Sequence, residues 1–255
     1  MLLALDAGNT NITIGAFDAG NLLGRWRLRT IREQTADEWG ILLRNVFSLW
    51  HLELADVDGM IISSVVPAVD QPLTAMCERY FHRQPVFVTA TSDLGIAIRY
   101  DNPREVGADR LVNAVAAWNK YGGPSVVVNL GTTINFDCVS GDGAFCGGLI
   151  CPGIGMSIGG LVAQTARLPM VDFREPVQLV GTNTIGAIQS GLYYGFTGMI
   201  DGIVERLMGE LGAGTKAIAT GGQGHMIARS CRLVRISDED LTLEGLRIVW
   251  ERTRS

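Results

Sequence analysis

Leu2-Leu3-Ala4-Leu5-Asp6-Ala7-Gly8-Asn9-Thr10 opens the chain, and Ser125-Val126-Val127-Val128-Asn129-Leu130-Gly131-Thr132-Thr133 repeats its pattern near mid-length. In each, an apolar run stops at a polar residue and a glycine turn, as a buried strand does at the end of a sheet. After the first, Ile12 to Phe17 reads as a strand, Asp18-Ala19-Gly20-Asn21 as a turn and Leu22 to Leu28 as another strand. After the second, Phe136 to Val139, the turn Ser140-Gly141-Asp142-Gly143 and Ala144 to Ile150 follow at nearly the same spacing. This predicts an internal duplication: two α/β halves, 1–118 and 119–255, each opening with a three-stranded antiparallel meander.

Outward from these stretches, Thr35-Ala36-Asp37-Glu38 reads as a capping box, with Trp39, Leu42, Leu43, Val46, Phe47 and Trp50 behind it at helical spacing. Val57 to Val66 reads as a buried strand, Asp70 to Tyr80 as a helix and Pro85 to Thr89 as a short strand. In the second half, helices are expected around Ser157 to Thr165, Thr184 to Met208 and Leu241 to Trp250, with a strand at Ala217 to Thr220.

Composition narrows the function. Net charge is -5, no Lys/Arg-rich run occurs, and Lys120 and Lys216 are the only lysines, which argues against a nucleic-acid surface. Asp6 interrupts the first apolar run, so the N-terminus does not read as a signal peptide, and no stretch reads as a membrane span. Five cysteines with no CxxC pair read as thiols of a reducing cytoplasm, and three scattered histidines offer no zinc spacing.

The 32 glycines include several at strand ends, where α/β proteins bind ligands. Gly8 lets the backbone turn tightly, so that turn amides and the Asn9 and Thr10 side chains can bond phosphate oxygens. Asp6 can hold a magnesium ion through water, because magnesium prefers oxygen and keeps its waters. Gly131-Thr132-Thr133 offers a second phosphate clamp, and Gly221-Gly222 a place for a flat adenine ring to approach the backbone. One such turn alone is most simply a hairpin; matched turns in two repeats favour phosphate binding. No G-x-x-x-x-G-K-[ST] is present, and the Gly153 to Gly159 run is one residue too long for a dinucleotide fingerprint. That run reads as a loop opening a helix, with Ser157 near the cap.

Glu105-Val106-Gly107-Ala108-Asp109-Arg110 opens another helix. An acid in a first turn is most often there for the helix dipole. The other reading is a general base, with Gly107 admitting a substrate and Arg110 gripping a carboxylate. Spacing alone favours the dipole.

These segments together resemble the type III pantothenate kinases. The residues that carry the resemblance are Asp6 to Asn11, Ser63-Ser64-Val65-Val66-Pro67, Gly107-Ala108-Asp109-Arg110, Gly147-Gly148 with Pro152-Gly153, Gly181 to Thr184 with Ala187 to Gly191, Ala219 to Gly222, and Leu241 to Leu246. The resemblance spans the chain in order. It implies a duplicated actin-like (ribonuclease H-like) fold, a cytoplasmic homodimer, and ATP phosphorylating the hydroxyl of pantothenate on the way to coenzyme A. It implies that Asp6, Ala7, Gly8, Asn9, Thr10, Asn11, Ile12 and Thr13 line the ATP phosphates and that Thr132 touches ATP. Tyr100, Gly107, Ala108, Asp109 and Arg110 would line pantothenate, with Asp109 the base, and Thr184 would reach substrate, across a dimer interface in one arrangement. Magnesium and a potassium or ammonium ion are the implied cofactors.

One motif departs. The family's second phosphate motif reads DxGTATTFD; here Asn129, Ile134 and Asn135 replace its first Asp and two Thr. The replaced Asp holds the monovalent cation in the family, so Asn129 is expected to hold it more weakly, and Ile134 to remove a hydroxyl from the clamp. The departure raises an alternative: a nucleotide-binding regulatory member with little turnover. A phosphohydrolase or sugar kinase on the same fold is a third reading, since fold does not fix function.

Overall fold

The computed structural model describes residues 1–254. The chain forms two compact units: Met1–Ala116 with the segment from Asp240 on, and Ala117–Glu239.

Unit 1 is built on a five-stranded sheet. β1 (Leu2–Ala7), β2 (Asn11–Asp18) and β3 (Asn21–Arg29) form the expected meander, and β4 (Gly59–Ser64) and β5 (Val86–Phe87) extend it in parallel, giving the order β3-β2-β1-β4-β5. β1 and β4 are buried along nearly their whole length, as central strands covered on both faces should be. Between β3 and β4 runs α1 (Ala36–Leu49). Its capping box is complete: Thr35 Oγ1 accepts the Glu38 amide at 3.3 Å and Glu38 Oε2 accepts the Thr35 amide at 2.8 Å. Trp39, Leu43 and Phe47 of α1 enter a core with Leu3, Leu5, Ile12, Ile14 and Met60. α2 (Pro67–Met76) starts three residues before the sequence reading places it, because Pro67 suits a first helical turn. It runs into a π-helical turn, Cys77–Phe81, closed by His82 at φ 55°. A 3₁₀ turn, Pro103–Glu105, then leads into α3 (Ala108–Tyr121).

Unit 2 repeats the plan. β6 (Ser125–Leu130), β7 (Thr133–Val139) and β8 (Phe145–Pro152) form the second meander. β9 (Lys216–Thr220) and β10 (Ile236–Ser237) add in parallel, giving β8-β7-β6-β9-β10, the order of unit 1 strand for strand. α4 (Ile154–Ala163), α5 (Thr184–Leu211) and α6 (Gly224–Ser230) complete it. Ile154, Ile158, Phe196, Ile200 and Val204 pack with Val126, Val128 and Phe136. The cap of α4 is Gly153, not Ser157, which lies inside the helix.

The division at 118/119 gives the last helix, α7 (Leu241–Thr253), to the second half; in the structure it packs in unit 1. Three glycines record how closely. A Cβ on Gly15 would lie 2.9 Å from Leu243, one on Gly59 2.1 Å from Trp250, and one on Gly245 2.0 Å from the Val112 carbonyl of α3. Thr242 Oγ1 also donates to the buried Asn113 Oδ1 at 2.7 Å. Among the described residues no helix is long and apolar enough to cross a membrane.

Candidate active site

The turn after β1 is built from the backbone. Gly8 N–H donates to Asn11 C=O at 3.0 Å, and Thr30 braces the loop through Oγ1 to Gly8 C=O at 2.6 Å and its amide to Thr10 C=O at 3.0 Å. Gly8, Asn9, Thr10, Asn11 and Thr13 keep exposed surface, whereas the Ala7 and Ile12 side chains belong to the core and leave only backbone to a ligand. Asp6 stands at the end of β1 in register with Ser63 of β4 and Thr13 of β2. Ser63 Oγ donates to Asp6 Oδ1 at 3.0 Å. Burial pushes the Asp6 carboxyl up to about 7; the charge of Asp109 adds to the rise, and the Ser63 hydroxyl opposes it.

Asp109 lies in the first turn of α3, where Gly107 C=O accepts the Arg110 and Leu111 amides. Its carboxylate accepts the N–H groups of Arg110 and of Asp109 itself, so it does serve the helix start. Burial nevertheless raises its proton affinity, against the pull of those amides and the Arg110 charge. Asp109 is therefore a helix-start acid placed beside a second carboxylate. A Cβ on Gly107 would sit 2.5 Å from Asp109 Oδ1, so only glycine leaves the carboxylate this rotamer. Gly107 and Ala108 line a groove of about 620 Å³ with Ser64, Val65, Thr89 and Arg104. Tyr100 is exposed and Arg110 is buried.

Unit 2 presents the matching turn. Gly131 N–H donates to Thr133 C=O at 3.0 Å, the counterpart of the Gly8 bond, and Thr132 is exposed at the tip. A Cβ on Gly153 would lie 2.1 Å from Thr132 C=O, so the Pro152-Gly153 segment is the bed on which this turn rests. Gly221 adopts φ +84°, and a Cβ there would meet Asn129 Oδ1 and Leu130 C=O, each at 2.7 Å. That glycine thus serves the close approach of the chain to β6. Gly222 beside it is exposed, and Thr184 is exposed as the first residue of α5, whose cap Asn183 accepts the Gly186 amide at 2.8 Å.

Asn129 faces Thr220 on β9 and Asn135 on β7 in register. Thr133 Oγ1 donates to Asn135 Oδ1 at 3.0 Å. Thr220 Oγ1 is buried without a hydrogen-bond partner among the described residues. Ile134 corrects the sequence reading: it is a core residue packed with Leu130, Phe136 and Ile154, so it takes no hydroxyl away from a phosphate clamp.

The sequence profile of the type III pantothenate kinases matches residues 2–206. A type III pantothenate kinase of Solibacter usitatus (strain Ellin6076) is 62% identical over 252 residues, 99% of this chain and 97% of its own. The chain belongs to the type III pantothenate kinase family. A second member, from Koribacter versatilis (strain Ellin345), is 48% identical over all of this chain and 97% of its own. Membership makes the protein a kinase.

Solved structures give the fold. A Campylobacter jejuni protein assigned to the Baf family of transcriptional activators superposes with TM-score 0.59 at 17% identity, over 99% of this chain and 98% of its own. An inorganic polyphosphate/ATP-glucomannokinase of Arthrobacter sp. strain KM does so with TM-score 0.51 at 13% identity, over 98% of each chain. With two sheets of one strand order, this is the duplicated actin-like fold. The roles that sequence reading does not assign are those of structural braces: Thr30 under the first turn, Gly153 under the second, and Ser63 beside Asp6. Each lies far along the chain from what it supports, and strand register is what pairs Ser63 with Asp6.

Proposed function

We propose that this kinase transfers the γ-phosphoryl group of ATP to the primary hydroxyl of pantothenate, the first step toward coenzyme A, with Asp109 as general base. The observation that carries the reading is the carboxylate pair in unit 1. Asp109 has a raised proton affinity, as a base working near neutral pH needs, and follows directly on Gly107 and Ala108, which line a groove. Gly107, Ala108, Arg110 and Tyr100 would hold pantothenate, Arg110 by pairing with its carboxylate. Asp6 to Thr13, Thr132, Gly221 and Gly222 would bind ATP, and Thr184 would reach substrate.

Among the described residues no three acidic, His or Cys side chains form a metal cage. That suits magnesium, which needs only one or two carboxylates besides phosphates and water. Asp6 fits: the residue keeps some exposed surface, and its carboxylate accepts one hydrogen bond, from Ser63. Bound there through water, magnesium would neutralise charge on the transferring phosphate. For potassium or ammonium, Asn129 Oδ1 and the unpartnered Thr220 Oγ1 are neutral oxygen donors on neighbouring strands, a set that fits a monovalent ion held without a full charge.

Exposed Val177, Leu179, Val180 and Ile185 around the start of α5 support a homodimer in which this surface is covered. A cytoplasmic site of action accords with the five free thiols. The regulatory alternative weakens, because one of the three departures that raised it, Ile134, lies in the core. The test is ADP release by purified protein with ATP, magnesium and pantothenate across potassium and ammonium concentrations. Release that requires pantothenate is expected; binding of ATP with no release above background refutes the reading.

A further inference from the structure

Ser63 plays no part in the chemistry above, yet it touches the acid on which that chemistry depends. It ends the apolar run Gly59–Ile62 in β4 and has no exposed surface, so water cannot reach its hydroxyl. A buried hydroxyl is unfavourable unless hydrogen-bonded. The bond it makes is to Asp6 Oδ1 at 3.0 Å, and this is the hydrogen bond that the Asp6 carboxylate makes among the described residues. Ser64 behaves differently. Its hydroxyl donates to Asp70 Oδ1 at 2.5 Å and accepts the Val66 amide at 3.2 Å, which serves the turn into α2. Two adjacent serines thus face opposite sides of one strand, and the inner one is spent on Asp6.

The terminal torsion of an aspartate is soft. With one oxygen pinned by a rigid neighbour on a central strand, the other has a fixed direction on the open side. We infer that Ser63 is a positioning residue: its hydroxyl fixes Oδ1 of Asp6 so that the second oxygen is presented to the nucleotide and its metal-bound water. The inference rests on the role proposed above for Asp6. A merely structural Ser63 would influence melting and leave nucleotide binding alone; a positioning Ser63 would act on the metal and nucleotide and leave the acceptor alone.

The experiment measures MgATP affinity by calorimetry, the half-saturating magnesium concentration and the KM for pantothenate in five proteins: wild type, Ser63→Ala, Ser63→Thr, Asp6→Asn and the Ser63→Ala/Asp6→Asn double variant. Ser63→Ala should weaken MgATP binding and raise half-saturating magnesium about ten- to a hundredfold, the scale of one hydrogen bond to a charged group. Its KM for pantothenate should stay within about twofold, since the acceptor groove is formed by other residues. Ser63→Thr keeps the hydroxyl and should recover most of the loss. In the Asp6→Asn background, Ser63→Ala should add little, because coupled residues are not additive. Should Ser63→Ala fail to fold, Ser63→Cys, near in size and a weak donor, takes its place with the same expectation. Unchanged magnesium and MgATP constants in the folded variant, or full additivity in the double variant, overturn the inference alone. Wild-type MgATP binding in Asp6→Asn overturns the role of Asp6 and this inference with it.

Discussion

Asp6→Asn separates what the reaction needs from what the fold prefers. Burial and the charge of Asp109 push the Asp6 carboxyl from 3.8 up to about 7. The folded protein therefore keeps a proton that the unfolded chain has already released, and between those values folding binds protons. Stability from this group is greatest at low pH and falls as pH rises from about 4 to about 7, with no further loss above. A rise of about three units at about 1.4 kcal/mol each sets a ceiling near 4 kcal/mol. Asp6 keeps some exposed surface, so about 2 kcal/mol is the working figure at an effective dielectric near 20. Asparagine does not ionise and its side-chain oxygen can still accept from Ser63. The ligand-free Asp6→Asn protein should thus match wild type near pH 4 and exceed it by about 2 kcal/mol at pH 8, while losing turnover. Urea unfolding from pH 5 to 8, followed by near-ultraviolet signals of Trp26 and Trp39 in unit 1, measures the gap. A gap that does not grow with pH, or an Asp6→Asn protein less stable than wild type at pH 8, would refute the electrostatic account of this site.

Three other outcomes follow from named contacts. Asp109→Asn should cut turnover about 10²-fold or more while MgATP still binds by calorimetry, and near-wild-type turnover would remove Asp109 as the base. Asn129→Asp should tighten potassium activation about tenfold and raise kcat/KM for ATP, since a full charge adds roughly 1–4 kcal/mol of attraction at a few ångströms; identical potassium titrations would show that the pocket around Asn129 and Thr220 takes no cation. Gly153→Ala places a methyl 2.1 Å from the Thr132 carbonyl and must shift the second turn. It should weaken MgATP binding about tenfold, the effect of roughly 1–3 kcal/mol of overpacking, with the pantothenate KM unchanged.

Both meanders are legible in the sequence because each pairs neighbouring strands and announces its turns with Gly, Asn and Asp. The α1 cap is legible for the same reason, being local. Asp109 is visible as a helix-start acid, but its nearness to Asp6, far back in the chain, comes only with the tertiary fold. Ile134 misleads because it interrupts a hydroxyl-rich motif; alternation along β7 turns it to the core between Thr133 and Asn135. The sheet that α7 covers is the largest gap. Leu241, Leu243, Leu246 and Val249 reveal an apolar stripe and not its partner, and the glycines that receive it, Gly15 and Gly59, lie some two hundred residues earlier in the chain.

That return of α7 bears on the order of folding. The sheet of unit 1 is translated before unit 2, yet Gly15, Gly59 and Val112 wait for a helix that comes after it, whereas unit 2 is one continuous stretch. Unit 1 therefore cannot be completed before the chain has run through the whole of unit 2, unlike domains that fold one after another from N to C. A chain cut after Glu239 would hold every residue of the second unit and a first unit with an open apolar seam.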